Sequence, residues 1–358
     1  MEKKTTYHEQ KDVENILRLR EVLSTLPPFC RDYFRAIDTT TTTKTRISYA
    51  YDIRIFFQFL LDENPAFKDY KMTDFTVDVL DQIKALDLEE YQEYLKVYQA
   101  GDKTETNGER GLKRKISALR SFYAYYYRRE MIETNPTVLI DVPKIHDKSI
   151  IRLDTDEVAL LLDYIEHCGD QLTGQKRVYY EKNKERDLAI VTLLLGTGIR
   201  VSECVGLDIE DVDFKNNGIK VTRKGGNEMV VYFGPEVEKA LKRYLEVREN
   251  IIPLEGHEHA LFYSAQRRRI GVQAIENLVK KYAQQITTTK KITPHKLRST
   301  YGTALYQETG DIYLVADVLG HKDVNTTKKH YAAQADSRRR MAAKAVRLRE
   351  KQPDSDQE

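Results

Sequence analysis

The chain has 358 residues, too many for one ordinary domain and suited to two. Apolar residues at 41% and charged residues at 32% describe a core-forming chain with a heavily charged surface, and 58 Lys and Arg against 56 Asp and Glu leave a net charge of only +2, so the placement of charge, not its sum, has to identify a polyanionic partner. The longest apolar stretch, Ala189–Leu195, falls far short of the ~20 residues of a membrane span, the opening MEKKTTYHEQKDVEN has no apolar signal core, and three cysteines (Cys30, Cys168, Cys204) without a CxxC pair argue against a disulfide framework or thiolate zinc site and for a reducing, cytoplasmic compartment.

The first half reads as helix. Val13, Ile16, Leu17, Val22 and Leu23 recur at helical spacing up to Pro27-Pro28. A threonine run, Thr39 to Thr43, offers N-caps to a long segment with an apolar face of Ile47, Ala50, Tyr51, Phe57, Phe59, Leu60 and Leu61. Helices are also expected over Thr76–Ile83, Leu88–Tyr98 and Glu109–Arg129, with the polar stretch GDKTETNGE as a loop before the last. From Asn135-Pro136 to Pro143-Lys144, ending near Asp147, periodicity is lost and prolines appear, as in a linker.

In the second half, Asp154–Cys168 and Glu185–Leu195 are helical in pattern. Ile219–Thr222 and Met229–Phe233 flank Gly225-Gly226-Asn227, a hairpin signal. Glu236–Glu249 returns to helix, Leu261–Tyr263 reads as a short strand, and helices follow. The fold class is mainly α with a small β-sheet. The expected organisation is a helical extension over 1–38, a helical domain over 39–146, a second domain with a C-terminal helix over 147–350, and a disordered tail over 351–358.

Charge is placed unevenly. From Arg110 to Arg129 there are Arg110, Lys113, Arg114, Lys115, Arg120, Arg128 and Arg129 and no acidic residue, with Phe122, Tyr123, Tyr125, Tyr126 and Tyr127 interleaved. Arg267-Arg268-Arg269 and Arg338-Arg339-Arg340 add two clusters. One such run is commonly a solvated face, but three in a nearly neutral chain point to a phosphate backbone. The aromatics are expected mainly in the core rather than stacked on bases.

Downstream, GTGIRVSECVGL places Arg200 and Glu203 at i, i+3, and Lys224 sits at the hairpin turn. HKLRSTYGTALY places His295 and Arg298 at the same spacing, and LGHKDVNTTKKHYAA supplies His321 and, ten residues on, Tyr331. Each alone has a plain structural reading: an ion pair, a turn lysine, a packed histidine, a core tyrosine. His257 and His259 read as surface histidines, not metal ligands, and Gly225-Gly226 as a turn, not a phosphate cradle.

In this order and spacing the groups resemble the tyrosine recombinase (phage integrase) family, with a Xer-like layout. The resemblance is strong from about Arg152 to Ala333 and rests on layout alone from Thr39 to Lys144. It implies a helical core-binding domain, a catalytic domain, and roles for Tyr331 as nucleophile, Arg200 and Arg298 as phosphate clamps, Lys224 as general acid, His295 as general base and His321 as a hydrogen-bond donor, with Glu203 supporting Arg200. Two departures from the family pattern stand out: the gap from His321 to Tyr331 is ten where nine is commoner, and Ser299 follows Arg298 where many relatives have His. Tyr313, before the L-G-H box, is the next tyrosine upstream and the alternative nucleophile.

The residue types suit the chemistry. A tyrosine hydroxyl attacks a DNA phosphodiester, a 5′-oxygen leaves and a 3′-phosphotyrosyl link remains. Two guanidinium forks suit the charge on the non-bridging oxygens. Free tyrosine has a pKa near ~10 and needs a base, and the leaving oxygen needs an acid. No metal or other cofactor is expected. The implied partners are double-stranded DNA with inverted-repeat core sites and further copies of the chain, a homotetramer on DNA with a monomer as the free form; no membrane partner is expected. Arg110, Lys113, Arg114, Lys115, Arg120, Arg267, Arg268 and Arg269 are the expected DNA contacts. Two other readings use the same residues: a type IB topoisomerase-like nicking and resealing enzyme, and a DNA-binding regulator without catalysis.

Overall fold

The computed structural model describes residues 6–146, 150–223, 226–321 and 324. The chain divides into two compact units, Met1–Lys148 and Ser149–Glu358.

The first unit is built from helices α1 (Tyr7–Ser24), α2 (Cys30–Ala36), α3 (Thr43–Glu63), α4 (Val79–Gln82), α5 (Ala85–Tyr94) and α6 (Glu109–Arg128), with a two-stranded hairpin, β1 (Val97–Ala100) and β2 (Lys103–Thr106), between α5 and α6. Thr6 and Glu9 form a reciprocal capping box at the start of α1, and Thr42, within the threonine run, caps α3 by accepting from the Thr45 N–H at 3.3 Å. Only the end of the expected α1 face is covered: Val22 is buried and Leu23 half-buried, while Val13, Ile16 and Leu17 are exposed and Leu19, outside that face, is buried.

Two expectations are corrected in this unit. The Thr76–Ile83 helix contracts to α4, and the helix expected through Tyr98 stops at Tyr94, where chain and supposed loop become the hairpin. Val97, Tyr98, Thr104 and Thr106 are strand formers, and Gly101 turns the chain at φ 62°, where a side chain would be strained. Gln99 and Thr104, opposite each other, hydrogen-bond across the strands at 3.0 Å.

The core of this unit is aromatic. Phe122, Tyr123 and Tyr126, on the inner face of α6, are fully buried with Tyr33, Phe56 and Phe57. Tyr33 and Phe122 meet edge to face at 5.2 Å, as do Phe122 and Tyr126 at 5.0 Å. The phenols have partners: Tyr33 donates to Ser121 at 2.9 Å and Tyr126 to the Phe29 carbonyl at 2.8 Å.

Within this core lies Asp52, 2% exposed, which accepts from Lys115 Nζ at 3.1 Å and from Arg114. Burial pushes its carboxyl up, and the two cations oppose that shift. Removing one partner strands the others, so Asp52→Ala is expected to destabilise the first unit by about 3 kcal/mol, against about 0.5 kcal/mol or less for Lys113→Ala on the exposed face of α6. Hydrogen exchange of the α3 and α6 amides under mild urea checks this, since it reads the first unit by itself.

The second unit contains α7 (Thr155–His167), α8 (Gly174–Thr197), α9 (Val201–Gly206), the strands β3 (Val212–Asp213), β4 (Gly218–Thr222) and β5 (Glu228–Tyr232), then α10 (Pro235–Arg248), α11 (Val272–Ile286), α12 (Pro294–Thr309) and α13 (Ile312–Leu319). Its axis is α8, which extends well before the expected Glu185. Leu188, Ala189, Ile190, Val191, Leu193 and Leu194 are buried all round it because α7, α10 and α12 pack on its sides. The sheet is antiparallel in the order β3-β4-β5, with Ile219 opposite Val231 and Val221 opposite Met229.

Leu261–Tyr263 is not a strand of that sheet. It is buried and held by isolated bridges at Asp208–Ala260 and Tyr263–Arg269, and Arg248 gathers the carbonyls of Glu258, Ala260 and Leu261. Buried Asp187 ties α11 to α8 by accepting from the Tyr282 hydroxyl at 3.0 Å.

Candidate active site

Three segments far apart in sequence converge in the second unit: the turn from α8 to α9, the first half of α12, and the end of α13. The first is set by Gly198, which caps α8 in the left-handed region at φ 63°. A Cβ there would lie 2.4 Å from the Tyr301 ring and 2.9 Å from Leu319, so the position tolerates only glycine on both counts. Arg200 then becomes the N-cap of α9. The buried Glu203 accepts from its backbone N–H at 2.8 Å and from its Nη1 at 2.7 Å, so one carboxylate caps the helix and holds one edge of the guanidinium.

Arg298, one turn beyond His295 on α12, is 4% exposed. Its Nη1 donates to the Gly198 carbonyl at 2.6 Å and its Nη2 to the Leu319 carbonyl. Arg200 Nη2 donates to the Gly320 carbonyl at 3.2 Å. Gly320 ends α13 at φ 62°, and the His321 N–H returns to the Ala316 carbonyl at 2.9 Å, the hydrogen bond of a glycine C-cap. The L-G-H box therefore supplies carbonyls as well as a histidine. His321 follows this turn directly, and His295, exposed near the start of α12, shares that helix with Arg298.

A third arginine, which the sequence reading passed over, enters here. Arg223, at the end of β4, donates from Nη2 to the Val318 carbonyl at 2.7 Å. Burial lowers its pKa first, and the like charge of Arg200 adds to that, while Glu203 and Asp317 oppose it. Its signal in the sequence is a second cation, directly before Lys224 in Thr222-Arg223-Lys224. Cys204, beside Glu203, is fully enclosed and its thiol is pushed up to about 12, which keeps it protonated and unreactive.

Tyr331, Lys224, the Arg338–Arg340 cluster, the expected C-terminal helix and the tail lie outside the described residues. The expected DNA contacts divide in two. Arg110, Lys113, Arg267 and Arg268 are exposed, and Arg114 is 47% exposed although paired with Asp52. The other three have partners within the chain: Lys115 is buried against Asp52, Arg120 holds the Thr137 and Ile140 carbonyls, and Arg269 is paired with Asp208 and donates to the Val205 and Leu207 carbonyls. A helix carrying cations on every side must turn some of them inward, where only a counter-charge or carbonyls make burial tolerable.

Residues 152–338 match the model of the phage integrase family. The chain is 32% identical to the tyrosine recombinase XerS of Lactococcus lactis subsp. cremoris, over 88% of this chain and 93% of that one. It is likewise 32% identical to the tyrosine recombinase XerC of Caldanaerobacter subterraneus subsp. tengcongensis, over 84% of this chain and 82% of that one. The chain belongs to the phage integrase family. It is a tyrosine-type site-specific DNA recombinase. Among solved structures, the Tn1549 transposon integrase in complex with circular intermediate DNA shares the fold at a TM-score of 0.62 and 21% identity, covering 89% of this chain and 99% of that one. The XerH recombinase bound to a palindromic difH substrate does so at 0.61 and 20%, covering 85% and 79%.

Within this family member, Gly198 and Gly101 both have positive φ, but a Cβ on Gly101 meets open space. Gly198→Ala is therefore expected to destabilise its unit by at least about 1 kcal/mol more than Gly101→Ala destabilises the other, since both carry backbone strain and only the first adds overlap. Hydrogen exchange of each unit measures the two costs separately.

Proposed function

We propose that this chain is a Xer-like recombinase that cuts and rejoins duplex DNA at inverted-repeat core sites, with Tyr331 as the nucleophile. The observation that carries the reading is the pairing of Arg200 and Arg298 on successive carbonyls of one turn, Leu319 and Gly320. Guanidiniums held in place, Arg298 by two backbone carbonyls and Arg200 by one carbonyl and Glu203, meet a phosphate without reorganisation during reaction.

The Tyr331 oxygen attacks phosphorus, the 5′-oxygen leaves, and the 3′-phosphate stays on the protein. His295 receives the phenol proton, Lys224 protonates the leaving oxygen, Arg200 and Arg298 neutralise the non-bridging oxygens, and His321 donates a hydrogen bond to them. Reversal, with the 5′-hydroxyl of another strand attacking the phosphotyrosine, rejoins DNA and conserves the energy of the original bond. Glu203 holds Arg200 in place. In this reading Met1–Lys148 contains the core-binding domain and Ser149–Glu358 is the catalytic domain, with Arg110, Lys113, Arg267 and Arg268 on the phosphate backbone. Four copies assemble on two paired sites in the cytoplasm. Among the described residues no helix is long and apolar enough to cross a membrane.

A nicked suicide duplex, carrying a site that the chain selects from random-sequence DNA, traps the covalent intermediate. Wild type is expected to give a protein–DNA band on a denaturing gel and Tyr331→Phe none, with site binding retained. A band that persists moves the nucleophile, with Tyr313 next to test. No band on bound DNA favours the regulator, and a monomer that relaxes supercoils favours the topoisomerase. Arg298→Ala is expected to slow adduct formation by about 100-fold or more.

A further inference from the structure

The end of α13 presents carbonyls that its own helix leaves unsatisfied. The Ala316 and Asp317 carbonyls are taken by the backbone N–H groups of His321 and Gly320. The next three, Val318, Leu319 and Gly320, are each taken by a different arginine: Arg223, Arg298 and Arg200. Two of these belong to the proposed phosphate clamp. The third comes from the hairpin, where the Arg223 backbone N–H also donates to the Asn227 carbonyl at 2.7 Å.

Arg223 does more than reach the turn. A Cβ built on Gly320 would lie 1.1 Å from Arg223 Nη1 and 2.2 Å from its Cζ, so the guanidinium occupies the space that any other residue at 320 would fill. Its Nε is buried and has no hydrogen-bond partner among the described residues, which a surface ion pair would not require. Keeping Arg223 beside Arg200 in a partly desolvated site works against their mutual repulsion, with Glu203 and Asp317 as the compensating charges.

We propose that Arg223 is a positioning residue for recombination: by holding the Val318 carbonyl and lying across Gly320, it sets the turn from which the Leu319 and Gly320 carbonyls aim Arg298 and Arg200 at the scissile phosphate. The proposal rests on the reading of Arg200 and Arg298 as the phosphate clamp. Arg223 acts through them. The negative end of the α13 dipole supports the same grouping, because it favours cations at the last turn.

The test compares wild type, Arg223→Ala, Arg223→Lys and Arg200→Ala on two suicide duplexes, one with an ordinary scissile phosphate and one with a neutral methylphosphonate at that position. A methylphosphonate has one charge fewer to stabilise, so a defect in aiming the clamp shrinks on it, whereas a general loss of structure does not. Arg223→Ala is expected to bind the site as wild type does, to form the adduct about 10- to 100-fold more slowly on phosphate, and to lose most of that deficit on methylphosphonate. Arg223→Lys, which keeps the charge but not the fork, is expected to remain slowed, and it serves if the alanine variant does not fold.

An unchanged rate for Arg223→Ala overturns the proposal, as does full recovery in Arg223→Lys or a deficit of equal size on both substrates. If the Arg200→Ala deficit also fails to shrink on methylphosphonate, the clamp reading itself falls, and this proposal with it. A shrinking Arg200→Ala deficit beside an unshrinking Arg223→Ala deficit overturns the positioning role alone.

Discussion

The second unit depends on how two helix C-termini are closed. Helix α8 ends at Gly198 and α13 at Gly320, both left-handed, and each leaves a carbonyl directed at Arg298. A buried guanidinium is costly unless its donors are satisfied, and carbonyls at the negative ends of two helices satisfy it without adding an opposite full charge. That difference matters for chemistry. A carboxylate partner would cancel the positive charge, whereas a carbonyl orients it and leaves it available to an anion. Glu203 is the exception, and it is shared between capping α9 and holding one edge of Arg200.

The first unit handles buried charge in the opposite way. Asp52 stands inside an aromatic core and is neutralised by Lys115 and Arg114 of α6, so those cations serve cohesion. Arg110 and Lys113 on the same helix face outward. One helix thus carries both kinds of cation, and the 3.6-residue period decides which is which: Leu112, Lys115, Ile116, Leu119, Tyr123 and Tyr126 share the inner face. The hairpin before it shows a related limit of local pattern. Glycine and polar residues mark a turn, but whether the flanks pair as strands depends on register across the turn, which composition does not report.

Legibility at the site followed residue type and spacing. Arg200 with Glu203, and His295 with Arg298, are i, i+3 pairs on helices, so proximity within each pair was readable from the chain. Arg223 was not, because its partner is the Val318 carbonyl, 95 residues away, and a carbonyl has no residue identity to read. The partners of Lys115, Arg120 and Arg269 were hidden for the same reason: a charge run reports how many cations are present but not which carbonyl or carboxylate each will meet.

By itself the sequence determined the mainly helical class, the hairpin between Ile219 and Phe233, the sparse cysteines and the ordered set of Arg, His, Lys and Tyr motifs, because all of these are expressed in composition, local periodicity or reactive side chains. Tertiary structure alone decided that Gly198, Val318, Leu319 and Gly320 supply the backbone acceptors that group Arg200, Arg223 and Arg298. It also decided which cations α6 buries. Both outcomes turn on backbone carbonyls and on helix faces meeting across long stretches of chain, and every residue carries the same carbonyl, so only the fold distinguishes one from another.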